Sequence, residues 1–307
     1  MADKPARALV IYGDGIMPAV KTHHEHLHRL AASGSCGFLA LRALPEASEG
    51  EREVVELAQL LDVYDIYTEK ARKEDSAGEV TEDGSFKTLA ERFMGMKSTF
   101  MTNSKAALAL SKRAGFGGSS LEEFGVDSEA SATASRVLGL LGFDESTSMK
   151  DPANELVFVH LDAKSGSSAE SGAEFLDSLV GCVQESSKEG SLAYGRLFLV
   201  VVLGYGDAQA SGESVPSFRD DVELPSVLAA LRPRQSYTMK AGKPVEGLRE
   251  EYPLLAVYNQ VAVTRRDEVQ RFLFEDFHKR AGNLVMLADR FLYEVAFKLW
   301  KAPKYGA

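Results

Sequence analysis

The sequence predicts an α/β fold, with three layers (α/β/α) built on a largely parallel sheet. Two observations carry this. Short apolar runs of strand length alternate with amphipathic stretches over the whole chain. The runs are continuously apolar rather than alternating, the pattern of strands covered by helices on both faces. The length of 307 residues, 45% of them hydrophobic, suffices for one large domain.

In chain order, Ala8–Tyr12 (ALVIY) reads as a buried strand ended by Gly13-Asp14-Gly15. Thr22 is the expected N-cap of a helix running to about Ala32. Gly37–Leu41 is the next strand. Glu51–Lys70 is a helix with Val54, Leu57, Ala58, Leu61 and Tyr64 on one face. Ala71–Phe86 is polar and acidic without periodicity, so a flexible insert is expected near residues 72–90. Ser98–Thr102 reads as a strand, and Lys105–Ala114 as a helix stopped by Gly115. Ser128–Leu141 is a helix stopped by Gly142. Glu155–Leu161 and Arg196–Leu203 are strands flanking a helix over Ala173–Ser187. Gly204–Leu248 reads as mostly loop, Leu254–Val263 as a last strand region and Asp289–Trp300 as a last helix. In such sheets ligands bind beyond the carboxyl ends of the strands. Here these are Gly13-Asp14-Gly15, the 162–170 loop and the 204–210 loop.

Charge narrows the function. A formal net charge of −10 argues against sequence-independent nucleic-acid binding and against an anionic membrane surface. Cys36 and Cys182 sit in apolar patterns and form no disulfide framework. The opening MADKPARALVIYG lacks a secretory pattern, and the longest apolar run, Leu197–Leu203, is too short to span a bilayer. The expectation is a cytoplasmic protein.

His24-Glu25-His26-Leu27-His28 matches H-E-x-x-H. On a helix His24 and His28 would lie one turn apart and hold zinc, with Glu25 as general base. The extended form of the motif fails, with Ala31 where its Gly should be and Gly34 where its third His should be. The competing reading is a helix start whose polar face is rich in His. A zinc peptidase stays a remote alternative.

Four stretches in order resemble a known family: ALVIYGDG with the following THHEHLHRLAASGSCGFLAL, MKSTFMTNSKAALALSKRAGF, ELVFVHLDA, and the terminal DRFLYEVAFKLWKAPKYGA. They resemble the alkaline phosphatase superfamily, most closely its archaeal-type cofactor-independent phosphoglycerate mutases. The resemblance implies an alkaline-phosphatase-like core over residues 1–307. It also implies a site for two divalent ions, manganese or zinc, beside a Ser nucleophile. The metals would activate the nucleophile and clamp the oxygens of an in-line displacement.

Carried over residue by residue, that site is depleted. Asp14 matches the first metal-binding Asp. The loop Asp falls on Ser165, the loop His on Ala169, and the Asp-His-Gly after the next strand on Gly204-Tyr205-Gly206. The nucleophile falls near Arg52, with Ser48 a small shift away. No His occurs between Leu161 and Phe277, the span from which the family draws its His ligands. The insert near 72–90 stands where relatives carry a lid domain.

The sequence therefore predicts a catalytically silent binding or scaffold protein with no cofactor. Its remnant pocket would comprise Asp14, Asp162, Ser165, Tyr205 and Asp207, and its partner would be a protein or a small phosphorylated ligand. Arg92 and Lys97, and Arg234, Tyr237 and Lys240 in the unusual 233–240 loop, are candidates for an anion or partner site. The alternative is an active phosphoester hydrolase or phosphotransferase with a rebuilt site, its acids drawn from Asp14, Asp162 and Asp207. Mn or Zn would be needed only in that case.

Overall fold

The computed structural model describes residues 7–43, 54–64, 87–121, 129–143, 154–165, 168–206, 215–217, 239–240, 243–283 and 285–303. Among them the strands are β1 (Arg7–Asp14), β2 (Ser35–Arg42), β3 (Ser98–Thr102), β4 (Gly118–Leu121), β5 (Leu156–Asp162), β6 (Leu197–Leu203), β7 (Met239–Lys240), β8 (Lys243–Pro244), β9 (Leu248–Asn259) and β10 (Val285–Leu287). The main sheet has the order β10-β2-β9-β6-β1-β5-β3-β4. β1 lies at its centre, parallel to β5 and β6, and Ala8 through Tyr12 have no exposed surface.

Alternate side chains of β1 feed two helical layers. Leu9 and Ile11 pack with α1 (Glu25–Ser33), with α5 (Ala130–Leu140) and α6 (Ala169–Ser186), and with Phe277 of α7 (Phe274–Arg280). Ala8, Val10 and Tyr12 pack with α2 (Val55–Leu60), α3 (Leu89–Arg92), α4 (Lys105–Arg113) and α8 (Phe291–Lys298). The three-layer arrangement with a largely parallel sheet is the predicted one.

β9 departs from the parallel rule. It pairs antiparallel with both β2 and β6, and begins at Leu248 rather than Leu254. Leu203 lies opposite Leu255, so the first residues of β9 project past the carboxyl end of β6. That reversal delivers Arg249 to the mouth of the sheet.

Several boundaries move for local reasons. α1 begins at Glu25, with His24 and not Thr22 at its N-cap. Ser168 accepts a hydrogen bond from the Ser171 amide, so α6 starts at Ala169, earlier than the sequence indicated. α2 ends at Leu60, before Asp62 turns to positive φ. Thr88 and Glu91 form a reciprocal capping box that opens α3, within the stretch expected to be insert. Residues 65–86 lie outside the described part. β7 and β8 form a small hairpin where loop was expected.

Candidate functional site

The central strands end together. Asp14 of β1 lies level with Asp162 of β5, and Tyr12 level with His160 and Val202. Side chains two residues apart share a face, so Tyr12, Asp14 and His160 all face the layer that holds α2. Thr102 of β3 is level with His160 on the same side.

His160 is buried. Its Nδ1 is 2.9 Å from the Thr102 hydroxyl oxygen, and its Nε2 lies 3.8 Å from Asp14 Oδ2. The Ser104 amide donates to the same Thr102 oxygen at 3.0 Å. The other ring nitrogen, Nε2, is directed toward Asp14. Asp14 keeps 13% of its side chain exposed, and so forms the wet end of this chain of groups.

A second, charged chain lies beside it. The Tyr12 hydroxyl donates to Glu56 Oε2 at 3.2 Å, and Arg249 Nη2 donates to Glu56 Oε1 at 2.5 Å. The same Nη2 donates to the Tyr252 carbonyl at 2.9 Å. Burial pushes the Glu56 carboxyl up to about 7, opposed by the Arg249 guanidinium and reinforced by the negative charge of Asp14. Burial likewise raises the Tyr12 phenol well above its ordinary value, with Asp14 and Glu56 adding to the effect.

Two glycines make the space. A Cβ on Gly204 would lie 3.1 Å from Glu56 Oε2 and 3.2 Å from the Tyr12 hydroxyl. Gly206 has φ +57°, and a Cβ there would lie 2.9 Å from Gly15 Cα and 3.2 Å from Asp14 Oδ1. Gly204 is stitched down by its amide to Gly13 O at 2.9 Å and by its carbonyl to the Met17 amide at 3.0 Å.

The expected site residues separate into groups. Asp14 stands at the mouth. Asp162, its neighbour in register, turns back into its own loop. It accepts from the Lys164 amide at 2.9 Å and from the Ser165 hydroxyl at 2.7 Å, and its backbone is bracketed by Asn103. Asp162 and Ser165 therefore close a turn. Tyr205 is buried against Tyr252, rings 5.3 Å apart and edge-to-face. Asp207, Ser48 and Arg52 lie outside the described residues, as do Arg234 and Tyr237. Lys240 pairs with Lys243 in the small hairpin. Arg92 donates to the Leu61 carbonyl at 3.2 Å, pairs with Asp62 and lies over the Phe93 ring. Lys97 precedes β3, at the opposite end of that strand from Thr102. Arg92 and Lys97 thus lie apart from the mouth, and Arg92 is engaged as a structural cation.

The residues of the H-E-x-x-H stretch are split between a turn and a helix. His24 precedes the helix, and His28 has both ring nitrogens engaged. One is 3.0 Å from the Lys21 carbonyl, and the other accepts from the Phe272 amide at 3.0 Å. His23, His24 and Glu174 do cluster, with Glu174 Oε1 at 2.8 Å from His23 Nε2 and 3.5 Å from His24 Nε2. However, His24 Nδ1 accepts from the Lys21 amide at 2.9 Å. A neutral imidazole that accepts at Nδ1 carries its proton at Nε2, so it offers Glu174 a donor and a metal no lone pair.

The two-metal set of the resembled family does not fit the described residues. Of the residues matched to that set, Asp14 is the carboxylate at the mouth. Ser165 is spent on Asp162, Ala169 opens a helix, and glycine backbone fills the space beside Asp14. Tyr12, Glu56, Thr102 and Arg249 escaped the sequence reading. Glu56 left one trace, a lone carboxylate inside the largely apolar VVELAQLL. Arg249 left none, because the start of β9 carries no strand pattern.

No protein-family model and no curated protein sequence matches this chain. Solved structures do. A protein of Pyrococcus horikoshii superposes with TM-score 0.58 at 12% identity, covering 99% of this chain and 100% of the other. The cofactor-independent phosphoglycerate mutase of Thermoplasma acidophilum superposes with TM-score 0.50 at 9% identity, covering 97% and 100%. The chain thus shares its fold with a cofactor-independent phosphoglycerate mutase. Among the described residues no helix is long and apolar enough to cross a membrane.

Proposed function

We propose that this protein is a catalytically silent member of the alkaline phosphatase and phosphoglycerate mutase-like superfamily, and that it works inside the cell as a binding or scaffold protein. One observation carries the reading. The positions at which the resembled family places metal ligands are absorbed into the chain's own hydrogen bonds: Ser165 into Asp162, the 168–171 turn into the start of α6, and Gly204 into Gly13 and Met17. Activation of a nucleophile by two ions needs a fixed set of Asp and His ligands, and Asp14 alone does not supply one.

The mouth supports binding. His160 Nε2 and Arg249 Nε are buried without a hydrogen-bond partner, each a polar atom whose burial costs on the order of 1–3 kcal/mol. A protein partner or a small phosphorylated ligand that reaches them would recover that cost. The test is hydrolysis of p-nitrophenyl phosphate with added Mn or Zn. No turnover above background is expected. Turnover abolished by Asp14→Ala would overturn the proposal.

A second reading rests on Glu56. A carboxyl that titrates near neutrality and feels the charge of Asp14 is suited to general acid–base chemistry at a rebuilt phosphoester site. Metal-independent hydrolysis lost in Glu56→Gln would favour it.

A further inference from the structure

The two most exposed large apolar side chains among the described residues are Met94, 63% exposed, and Trp300, 68% exposed. Each stands just past a helix in left-handed backbone, Met94 at φ +47° after α3 and Trp300 at φ +62° after α8. The helix ends account for the backbone. The Trp300 amide donates to the Phe297 carbonyl at 3.0 Å and the Lys301 amide to the Ala296 carbonyl at 2.8 Å, while the Gly95 amide donates to the Ala90 carbonyl at 2.8 Å. Helix ends closed in this way favour glycine at the left-handed position, because a Cβ there is strained. A methionine and a tryptophan at these places strain their turns and still stay largely outside the core.

The two segments are tied side by side at two points. The Phe93 and Tyr293 rings meet edge-to-face at 6.2 Å. Further along, the Lys97 amide donates to Glu155 Oε2 at 3.2 Å, and Lys301 Nζ lies 2.9 Å from Glu155 Oε1. Tyr293 and Phe297, one turn apart on α8 and both half-buried, lead up to Trp300. Lys97 and Glu155 precede β3 and β5, so this face lies at the end of the sheet opposite the mouth.

We propose that Met94 and Trp300 form a docking face for an acidic segment of a partner protein that carries an aliphatic or aromatic anchor. Charge selects the occupant. Residues 87–97 and 289–301 hold six cations against three carboxylates, in a chain whose formal net charge is −10. One of the three, Asp289, is turned to Arg42. Lys87, Lys97 and Lys298 are exposed, whereas Arg92 and Lys301 pair with Asp62 and Glu155. Apolar anchors among exposed lysines attract acidic chains and repel basic ones. Trp is the strongest kind of anchor, and Met adapts its shape to what it meets. The acidity of the rest of the chain disfavours the other anionic occupant, a membrane surface. The inference holds whether or not the mouth turns over a substrate, so the two readings fail separately.

The experiment selects peptides from a random phage-displayed library on the immobilised full chain, with wild type and Met94→Gly/Trp300→Gly in parallel. Glycine is the residue these turns favour, so the double variant is expected to fold with a thermal midpoint no lower than that of wild type. The expected result is enrichment on wild type alone, of sequences that combine Asp or Glu with an aliphatic or aromatic residue. One such peptide, titrated by calorimetry, is expected to bind the double variant at least about tenfold more weakly than wild type. Its affinity should also fall in Lys97→Gln/Lys298→Gln and with added salt. In wild type it should shift the emission of Trp300, the single tryptophan of the chain, to the blue. Enrichment that is absent, equal on both proteins, or made of sequences without acidic residues overturns the inference. So does a marked fall in the midpoint of the double variant, which would assign both side chains to the protein's own fold. Sedimentation of wild type, but not the variant, with phosphatidylserine vesicles would assign the face to a membrane and overturn it. A wild-type dimer that the variant dissolves would assign the face to a second copy, and likewise overturn it.

Discussion

Glu56 is the residue on which the chemistry of the mouth turns. Its carboxyl is buried, tied to Tyr12 and Arg249, and raised from an ordinary 4.5 to about 7. The native state thus holds this proton more tightly than the unfolded chain does. The stability that Glu56 contributes is complete below about pH 4.5 and is lost as pH rises through about 7. Between those values wild type should lose stability relative to Glu56→Gln, at up to ~1.4 kcal/mol per pH unit. Urea unfolding of both proteins at mildly acidic and mildly alkaline pH checks this, and identical slopes would contradict it. Removing the partner cation is more damaging. Arg249→Ala, which strands a buried carboxylate, should cost on the order of 3 kcal/mol, and adding Glu56→Gln should restore much of it. A double-mutant cycle measured by urea unfolding reads the coupling directly.

At the scale of elements, the turns decide what the strands can offer. The 204–206 turn fits because Gly204 leaves room for Glu56 and Tyr12, while Gly206 adopts φ +57° against Gly15. Gly206→Ala should destabilise the fold by roughly 1–3 kcal/mol through strain and close contact, measurable as a fall in urea midpoint. The turn before α1 makes a similar point. His28 joins the Lys21 carbonyl to the Phe272 amide, so His28→Ala should cost about 2 kcal/mol, two hydrogen bonds having been lost. Zinc should leave the thermal midpoint of wild type unchanged. A zinc-dependent rise lost in His24→Ala would instead support zinc binding through that motif.

Over the whole molecule, strand and helix alternation was legible wherever burial was continuous. ALVIY, ELVFVHL and LFLVVVL are buried on both sides, and they read as strands for that reason. The edge strands did not read so: Gly118–Leu121 has little apolar content, and Val285–Leu287 is three residues long. The direction of β9 was also hidden, because apolar content carries no polarity. The site followed the same division. Asp14 was visible because it ends a strand between two glycines. The His160–Thr102 contact and the Glu56–Arg249 pair join residues 58 and 193 positions apart, a proximity that only the folded sheet creates.

The central proposal is that a fold shared with a cofactor-independent phosphoglycerate mutase serves here without a pair of metal ions. The most direct measurement is elemental analysis of purified, untagged wild-type protein, dialysed first against excess Mn and Zn and then against metal-free buffer. The account predicts that neither metal is retained in stoichiometric amount. Retention of about two ions per chain, lost on Asp14→Ala, would contradict it and mark the protein as a metal-dependent enzyme.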